Sequence, residues 1–160
     1  MPIMPILFKI WRWLPLPLWI RWRIMWLIAP KFMAGSVAVI FDEQGRVLLF
    51  YHTYRGDYPW GLPGGWLNHA EDSAHAIVRE LQEEGGITIQ VEKLLLVATS
   101  ELYPRLDIYY QCRRIAGEFR PSDEISDTRY FEIAGLENIM EPEMYGMFTR
   151  ALQHVSRDSG

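Results

Sequence analysis

Three carboxylates lie close together near the end of one predicted helix. Glu80 and Glu84 are four residues apart and share a helical face, which Glu83 borders. Their charges repel one another, and the negative end of the helix dipole opposes them further. The arrangement is costly unless cations occupy it, and Mg²⁺ or Mn²⁺ prefer such oxygen ligands. The alternative interpretation is a solvated acidic face on a surface helix, which the spacing alone would favour.

The residues around the three carboxylates favour the metal-binding interpretation. Gly65 is followed by five residues and Glu71, then by seven residues and the run RELQEEGGI, which ends at Ile87. All nine specified positions of this pattern, spread over 23 residues, match the signature box of the Nudix hydrolases. The chain resembles that family over roughly residues 35–155, and WGLPGG also resembles the family's usual approach to the box.

The resemblance implies a fold, an activity and a metal site. The fold would be of the α/β (α+β) class, an α/β/α sandwich with a mixed β-sheet. The activity would be hydrolysis of a nucleoside diphosphate linked to another moiety, with Mg²⁺ or Mn²⁺ as cofactor. Carried over residue by residue, Glu80, Glu83 and Glu84 resemble metal ligands, and the backbone carbonyl of Gly65 resembles a further ligand.

Two more box residues and one loop complete the predicted catalytic set. Arg79 resembles a structural partner that orients a glutamate of the box, and Glu71 resembles a supporting residue. A glutamate of the cluster is expected to take the proton from water, with Glu83 or Glu84 as the candidates. In this family the base also occurs on loops outside the box, and residues 120–127 offer Asp123, Glu124 and Asp127. The alternative for that loop is an ordinary polar turn.

Aromatic and basic residues on either side of the box are candidates for substrate contact. Arginine pairs with phosphate, and aromatic rings stack on bases. The candidates are Arg55, Tyr58 and Trp60 before the box and Tyr103 and Arg105 after it. Core packing is the alternative for Tyr58 and Trp60. Tyr103 and Pro104 stand where the resemblance separates subfamilies, but they point to dinucleoside polyphosphates and to ADP-ribose respectively.

A nucleotide-type small molecule is therefore the expected substrate, and three functions stay open. The first is cleavage of a diphosphate such as that of ADP-ribose or a sugar nucleotide. The second is cleavage of a nucleoside triphosphate to monophosphate and pyrophosphate. The third is nucleotide binding by a sensor without turnover, against which the intact glutamates argue.

The elements that must position these residues follow from hydrophobic periodicity and turn signals. Ala74, Ile77, Val78 and Leu81 recur at helical spacing and predict a helix whose buried side lies opposite the carboxylates. Two apolar runs on either side of the turn cluster DEQG predict a β-hairpin. The predicted strands are 35–41, 46–52, 87–100, 105–115 and 128–133, with a loop that contains a short extended piece at 54–66 and helices at 72–84 and 143–155.

Residues 1–33 differ from the rest and are predicted to form an arm, followed by the Nudix domain at 34–160. The arm holds five of the seven tryptophans, five basic residues and no acidic residue, and a helix is predicted at 18–29. Its charge-free runs are too short for a transmembrane helix. Packing on its own domain, a homodimer contact and contact with a membrane surface all suit this composition. An export signal is a weaker alternative, because arginines interrupt the apolar run.

The remaining composition restricts the partners and the compartment. Residues 34–160 contain 11 basic and 20 acidic residues, and an acidic body argues against nucleic-acid binding. The single cysteine, Cys112, excludes an internal disulfide and a cysteine-based zinc site. The expected location is the cytoplasm, and membrane association through the arm is one of the alternatives above.

Overall fold

The computed structural model describes residues 16–155, and the chain divides into two units, Met1–Lys31 and Phe32–Gly160. The first unit contains helix α1, Leu18–Ile28, which begins directly after Pro17 and coincides with the predicted helix. The backbone N–H groups of Ile20 and Arg21 donate to the carbonyl of Pro17 at 3.0 and 3.2 Å. No residue of α1 is buried, and its apolar side chains are spread around the helix rather than gathered on one face. Within residues 16–155, no helix is long and apolar enough to cross a membrane.

The second unit is built on two β-sheets. Its strands are β1 (Met33–Ile40), β2 (Val47–His52), β3 (Trp60–Gly61), β4 (Gly64–Trp66), β5 (Thr88–Thr99), β6 (Arg105–Ala116) and β7 (Ile125–Phe131). Its helices are α2 (Ser73–Gly85), α3 (Pro142–Val155) and a 3-10 turn at Leu136–Asn138. The four-stranded sheet has the order β4-β1-β6-β5, with β1 and β6 parallel, and the three-stranded antiparallel sheet has the order β3-β2-β7.

Strand β1 occupies the centre of the core and is buried on both faces from residue 35 onward. Val37 and Val39 join the apolar cluster of α3, whereas Ala38 and Ile40 join the cluster of α2. Alternate residues of one strand thus contact helices on opposite sides, as the period of two requires. This α/β/α sandwich with a mixed sheet confirms the predicted fold.

The predicted β-hairpin between residues 35–41 and 46–52 is wrong. Strands β1 and β2 lie in different sheets and share a single bridge, between Phe41 and Val47. The turn between them does form, because Oδ1 of Asp42 accepts hydrogen bonds from two backbone N–H groups at 3.0 and 2.9 Å. A local pattern identifies the turn but not the partners of the strands that it joins, and here the turn carries the chain from one sheet to the other.

Strand β7 begins three residues before the predicted start at residue 128. Ile125 is fully buried and pairs with His52, so the strand is already in the sheet at that point. Two polar residues, Ser126 and Asp127, interrupt the apolar pattern and conceal this start. The other predicted strands and helices lie within two residues of the observed ones.

Candidate active site

Helix α2 places the three carboxylates at its C-terminal end. Oδ1 of Asp72 accepts two backbone N–H groups of the first turn, at 2.9 and 3.2 Å, and caps the start of the helix. Gly86 ends the helix in the left-handed conformation, with φ of 67°, which glycine adopts without strain. Because both helix ends are defined, Glu80, Glu83 and Glu84 are held on a fixed segment of backbone.

Arg79 connects the acidic side chains of the box. Its Nε and Nη2 donate to the two oxygens of Glu71 at 2.7 and 2.9 Å. Its Nη1 donates to Glu80 at 2.9 Å and to Glu83 at 3.0 Å. Its Nη2 also donates to the backbone carbonyl of Trp66 at 3.2 Å. One guanidinium therefore joins strand β4, the loop before α2 and α2 itself.

These hydrogen bonds shift the pKa values of both partners in the pair. The Arg79 guanidinium, followed by the backbone N–H of Asn68, lowers the pKa of Glu71 to about 2. The carboxylates around it, Glu71 first, raise the pKa of Arg79. Glu71 and Arg79 are therefore both charged at neutral pH, as a supporting ion pair requires.

Glu84 is the carboxylate that Arg79 does not hold. Its Oε2 is buried and makes no hydrogen bond to any residue in the described part of the chain. Burial raises the pKa of Glu84 to about 7, and the charges of Glu80, Glu124 and Glu83 contribute in the same direction. A buried carboxylate among like charges is unfavourable in isolation. These surroundings favour a cation as the partner of Glu84.

Gly65 lies against the same group of carboxylates. A Cβ at this position would overlap the Glu80 side chain and lie 2.6 Å from its Oε2, so glycine permits β4 to approach α2. Carboxylate and carbonyl oxygens are hard ligands of the kind that Mg²⁺ and Mn²⁺ bind. Across residues 16–155, no three His, Cys, Asp or Glu side chains already form a metal-binding group, and Arg79 engages Glu80 and Glu83. The donors fit a divalent cation in their chemistry, and Oε2 of Glu84 is the donor without a hydrogen bond.

The loop at 120–127 reaches the same region through one side chain. The charge of Glu124 acts on Glu84 and helps to raise its pKa. Asp127 instead pairs with Arg129 in β7 at 2.7 Å, and Asp123 is exposed. Of the three loop carboxylates, Glu124 is therefore the one that the structure brings to the box.

A cleft beside β4 holds two of the predicted substrate-side residues. We call it the Asp107 cleft, and its lining includes Gly35, Arg55, Gly64, Trp66, Arg105 and Asp107. Arg55 also acts electrostatically on Glu84, where its positive charge opposes the rise in pKa. Arg55 and Arg105 therefore both line the cleft, and Arg55 is close enough to the box to act on Glu84.

The other three predicted substrate-side residues do not line the Asp107 cleft. The ring of Trp60 packs edge-on against Tyr51 and Phe131, with centroids 5.2 and 4.9 Å away. These contacts favour the core-packing alternative for Trp60. Tyr58 and Tyr103 are exposed side chains that lie outside the lining of this cleft.

Two acidic residues near the cleft were not among the predicted site residues. Asp107 is only 5% exposed and pairs through Oδ2 with Nε of Arg105 at 2.8 Å, and burial raises the pKa of Asp107. Glu143 of α3 lies 3.5 Å from Nη2 of Arg105. Strand alternation could have found Asp107, because Arg105, Asp107 and Tyr109 share one face of β6 and place a carboxylate on a buried side.

Comparison with known proteins gives a family and several relatives. The NUDIX domain model matches residues 31–151. An ADP-ribose pyrophosphatase of Methanocaldococcus jannaschii is 28% identical over 113 residues, which are 66% of this chain and 66% of the relative. A MutT-like protein of Streptomyces ambofaciens is 32% identical over 97 residues, which are 60% of this chain and 62% of the relative. The matched region thus spans about two thirds or less of these curated relatives.

Solved structures share the same fold. A UDP-X diphosphatase superposes with a TM-score of 0.70 at 22% identity, over 91% of this chain and 74% of that one. An ADP-ribose pyrophosphatase from Streptococcus suis superposes with a TM-score of 0.65 at 22% identity, over 82% of this chain and 96% of that one. At these identities the likeness establishes the architecture.

Proposed function

The chain belongs to the Nudix hydrolase family, and we propose that it is a metal-dependent pyrophosphohydrolase. Its substrate is a nucleoside diphosphate linked to another moiety, of the ADP-ribose or sugar-nucleotide type. The observation that carries the proposal is the buried Oε2 of Glu84, which has no hydrogen-bond partner in the described chain and lies among like charges. A carboxylate in this state suits cation binding better than a structural role.

The side chains of the box have different roles in the proposed reaction. When bound, a divalent cation supplies charge neutralisation for the diphosphate and lowers the pKa of a water. Arg79 holds Glu80 and Glu83 in place through Nη1. Arg79 engages Glu83, whereas Oε2 of Glu84 has no hydrogen-bond partner in the described chain, which leaves this oxygen available to accept a proton. Glu84 is therefore preferred to Glu83 as the base, and Glu124 is the candidate from the loop.

Arg55 supports a diphosphate as the group that is cleaved. Its charge acts on the box at Glu84, and its side chain lines the Asp107 cleft. A guanidinium in this place suits phosphate oxygens. The relatives named ADP-ribose pyrophosphatase and UDP-X diphosphatase support the same substrate type. The alternatives are nucleoside triphosphate cleavage to monophosphate and pyrophosphate, and nucleotide binding without turnover.

A product-resolved turnover panel tests this function. ADP-ribose, sugar nucleotides, dinucleoside polyphosphates and nucleoside triphosphates are each incubated with Mg²⁺ and with Mn²⁺. We expect the products to be a nucleoside monophosphate and a phosphorylated moiety. We expect Glu84→Gln to lower the turnover rate by about 100-fold or more. The matched control is Glu92→Gln, a surface carboxylate 2.9 Å from Arg113, which should keep full activity. Release of pyrophosphate would select the triphosphate alternative, and bound nucleotide without turnover would select the sensor.

We also propose that residues 1–33 hold the protein at an anionic membrane surface in the cytoplasm. Trp19, Trp22 and Trp26 of α1 are 65%, 69% and 66% exposed. The arm carries five basic residues and no acidic residue, which complements anionic lipid head groups. A contact between two copies of the arm is the alternative. The single thiol of the chain, at Cys112, is buried and free, which suits a reducing compartment.

A further inference from the structure

The loop between β6 and β7 is anchored beside the box at both of its ends. Near its start, the backbone N–H of Arg120 donates to the carbonyl of Gly85 at 2.9 Å, and Gly85 directly follows Glu84 at the end of α2. At its far end, Ile125 is fully buried and begins β7. The residues between these anchors, which include Glu124, therefore run from the C-terminus of α2 to the start of β7.

Hydrogen bonds close the last part of this loop into a turn. The backbone N–H of Ser122 donates to the carbonyl of Ile125 at 2.8 Å, and the backbone N–H of Ile125 donates to Oγ of Ser122 at 3.1 Å. We call residues 122–125 the Glu124 turn. Because its two ends are bonded to each other, a contact that fixes the carbonyls of the turn also fixes the backbone from which the Glu124 side chain extends.

Thr53, the residue that follows β2, makes such a contact. Its backbone N–H donates to the carbonyl of Glu124 at 2.8 Å. Its Oγ1 donates to the carbonyl of Asp123 at 2.7 Å and lies 3.1 Å from the carbonyl of Glu124. One residue at the end of β2 therefore holds two successive carbonyls of the Glu124 turn.

The Thr53 hydroxyl does not need these bonds for its own sake. The residue is exposed, so water could satisfy the hydroxyl at little cost in free energy. The turn that it holds acts on the box. Among the like charges that raise the pKa of Glu84, that of Glu124 ranks behind Glu80 and ahead of Glu83, although Glu83 is the neighbour of Glu84 in the chain. Glu124 thus extends the acidic cluster from a second part of the chain.

We propose that Thr53 is a positioning residue whose hydroxyl holds the Glu124 turn so that the Glu124 carboxylate stays beside Glu84. The kinetic part of this inference rests on the proposed function, since it requires turnover. The alternative is a contact at the end of a strand that stabilises the fold and has no part in the reaction. The two differ in one respect: a positioning residue that acts through Glu124 loses its effect when the Glu124 carboxylate is removed.

The variant Thr53→Val removes the hydroxyl and keeps the shape of the side chain and the backbone N–H. We expect kcat on the preferred nucleotide to fall by about tenfold with KM changed by less than about twofold, because a displaced carboxylate impairs the reaction more than binding. Thr53→Ser keeps the hydroxyl and should restore kcat to within about twofold of the wild-type value. Thr128→Val is the matched control. It removes a hydroxyl that donates to the carbonyl of Leu49 at 3.2 Å across the same two strands, and it should leave kcat unchanged.

The double variant Thr53→Val with Glu124→Gln separates positioning from stability. We expect Glu124→Gln alone to lower kcat by about tenfold or more. In that background, Thr53→Val should lower kcat further by less than about twofold, because residues that act as one unit have non-additive effects. The melting temperature should respond differently: Thr53→Val should lower it equally in both backgrounds, because the lost hydrogen bonds go to backbone carbonyls that Glu124→Gln retains.

Mn²⁺ binding gives a measurement that does not depend on turnover. Isothermal titration calorimetry with Mn²⁺ alone compares the wild-type protein with the variants. We expect Glu124→Gln to raise the Kd by about threefold or more, because a nearby negative charge favours a bound cation. Thr53→Val should raise the Kd in the same direction, the double variant should bind no more weakly than Glu124→Gln, and Thr128→Val should bind as the wild-type protein does.

Full kcat in Thr53→Val, or a loss that recurs undiminished in the Glu124→Gln background, would overturn the proposal. Thr53 would then be a contact that only stabilises the fold. If Thr53→Val does not fold, Thr53→Ala removes the same hydroxyl and gives the same comparison. Failure of the proposed function is distinguishable, because the wild-type protein would then cleave none of the nucleotides while the Mn²⁺ affinities still test Thr53. A wild-type protein that binds no Mn²⁺ and cleaves no nucleotide would overturn both proposals.

Discussion

Arg79 binds both carboxylate oxygens of Glu71, at 2.7 Å from Nε and 2.9 Å from Nη2. This bidentate pair ties the loop before α2 to the helix that carries the acidic cluster. Lysine keeps the charge but does not form two parallel hydrogen bonds.

We expect Arg79→Lys to fold and its turnover rate to fall by about 100-fold, because small displacements of catalytic groups lower reaction rates by factors of that order. Steady-state kinetics with ADP-ribose and Mg²⁺ measures the loss. Arg113→Lys, which alters the surface pair with Glu92, is the control and should remain fully active. Undiminished turnover in Arg79→Lys would show that the second hydrogen bond is dispensable.

Metal binding should raise the melting temperature. Repulsion around the half-buried Glu84 carboxylate is relieved when a cation binds the folded state. A ligand present at about 100 times its dissociation constant stabilises the folded state by about 2.7 kcal/mol. Thermal unfolding with Mg²⁺ or Mn²⁺, and again after addition of a chelator, measures the shift. Glu84→Gln should show a much smaller shift and Glu92→Gln a normal one, and equal shifts in all three proteins would place the metal elsewhere.

His52 should make the protein sensitive to mild acid. It is 2% exposed, and its Nε2 has no hydrogen-bond partner among the described residues. Burial, and then the positive charge of Arg55, lower the pKa of His52 from 6.5 to about 3. Between these two values the unfolded chain binds a proton that the folded protein does not. The free energy of unfolding therefore falls as the pH falls from about 6.5 toward about 3, by at most about 1.4 kcal/mol per pH unit from this group.

Urea unfolding of the wild-type protein and His52→Gln, at about pH 7.5 and about pH 5, measures that contribution. The variant removes the histidine and leaves the carboxylates that also titrate in acid. We expect the wild-type protein to lose more stability than the variant between the two pH values. Parallel losses would mean that His52 is protonated without cost in the folded state.

Deletion of residues 1–33 should abolish binding to anionic membranes. Flotation with vesicles of phosphatidylserine and phosphatidylcholine compares the full chain with the deleted one, and vesicles of phosphatidylcholine alone reveal the part that depends on charge. We expect the full chain to float with the anionic vesicles and to be released at high salt, because basic residues near such surfaces are screened by ions. A full chain that does not float, but whose mass by light scattering halves on deletion, would identify the arm as a dimer contact.

The acidic box could be recognised from the sequence because its positions lie at fixed spacing within one continuous segment, and the roles of its residues stay predictions. The pairing of β1 with β6 could not, since Gly35 and Asp107 come together from distant parts of the chain. The Asp107 cleft could not be predicted for the same reason, because the residues that line it lie far apart in the sequence. Strand alternation could place Asp107 on the face of Tyr109, but it could not show that Gly35 lies beside it on the neighbouring strand. Trp60 shows the converse, because an aromatic residue near the box resembles a ligand contact until its packing against Tyr51 and Phe131 is known.

Gly64 and Gly65 are adjacent in the chain, yet one meets the α3 side of the sheet and the other meets α2. Under the proposed function, the residues that cut the substrate lie on α2, whereas the cleft residues Asp107 and Met144 lie on β6 and α3. We therefore expect changes in β6 and α3 to alter substrate preference while the box is retained. Directed evolution of specificity would therefore begin in those two elements, at positions outside the core cluster of α3.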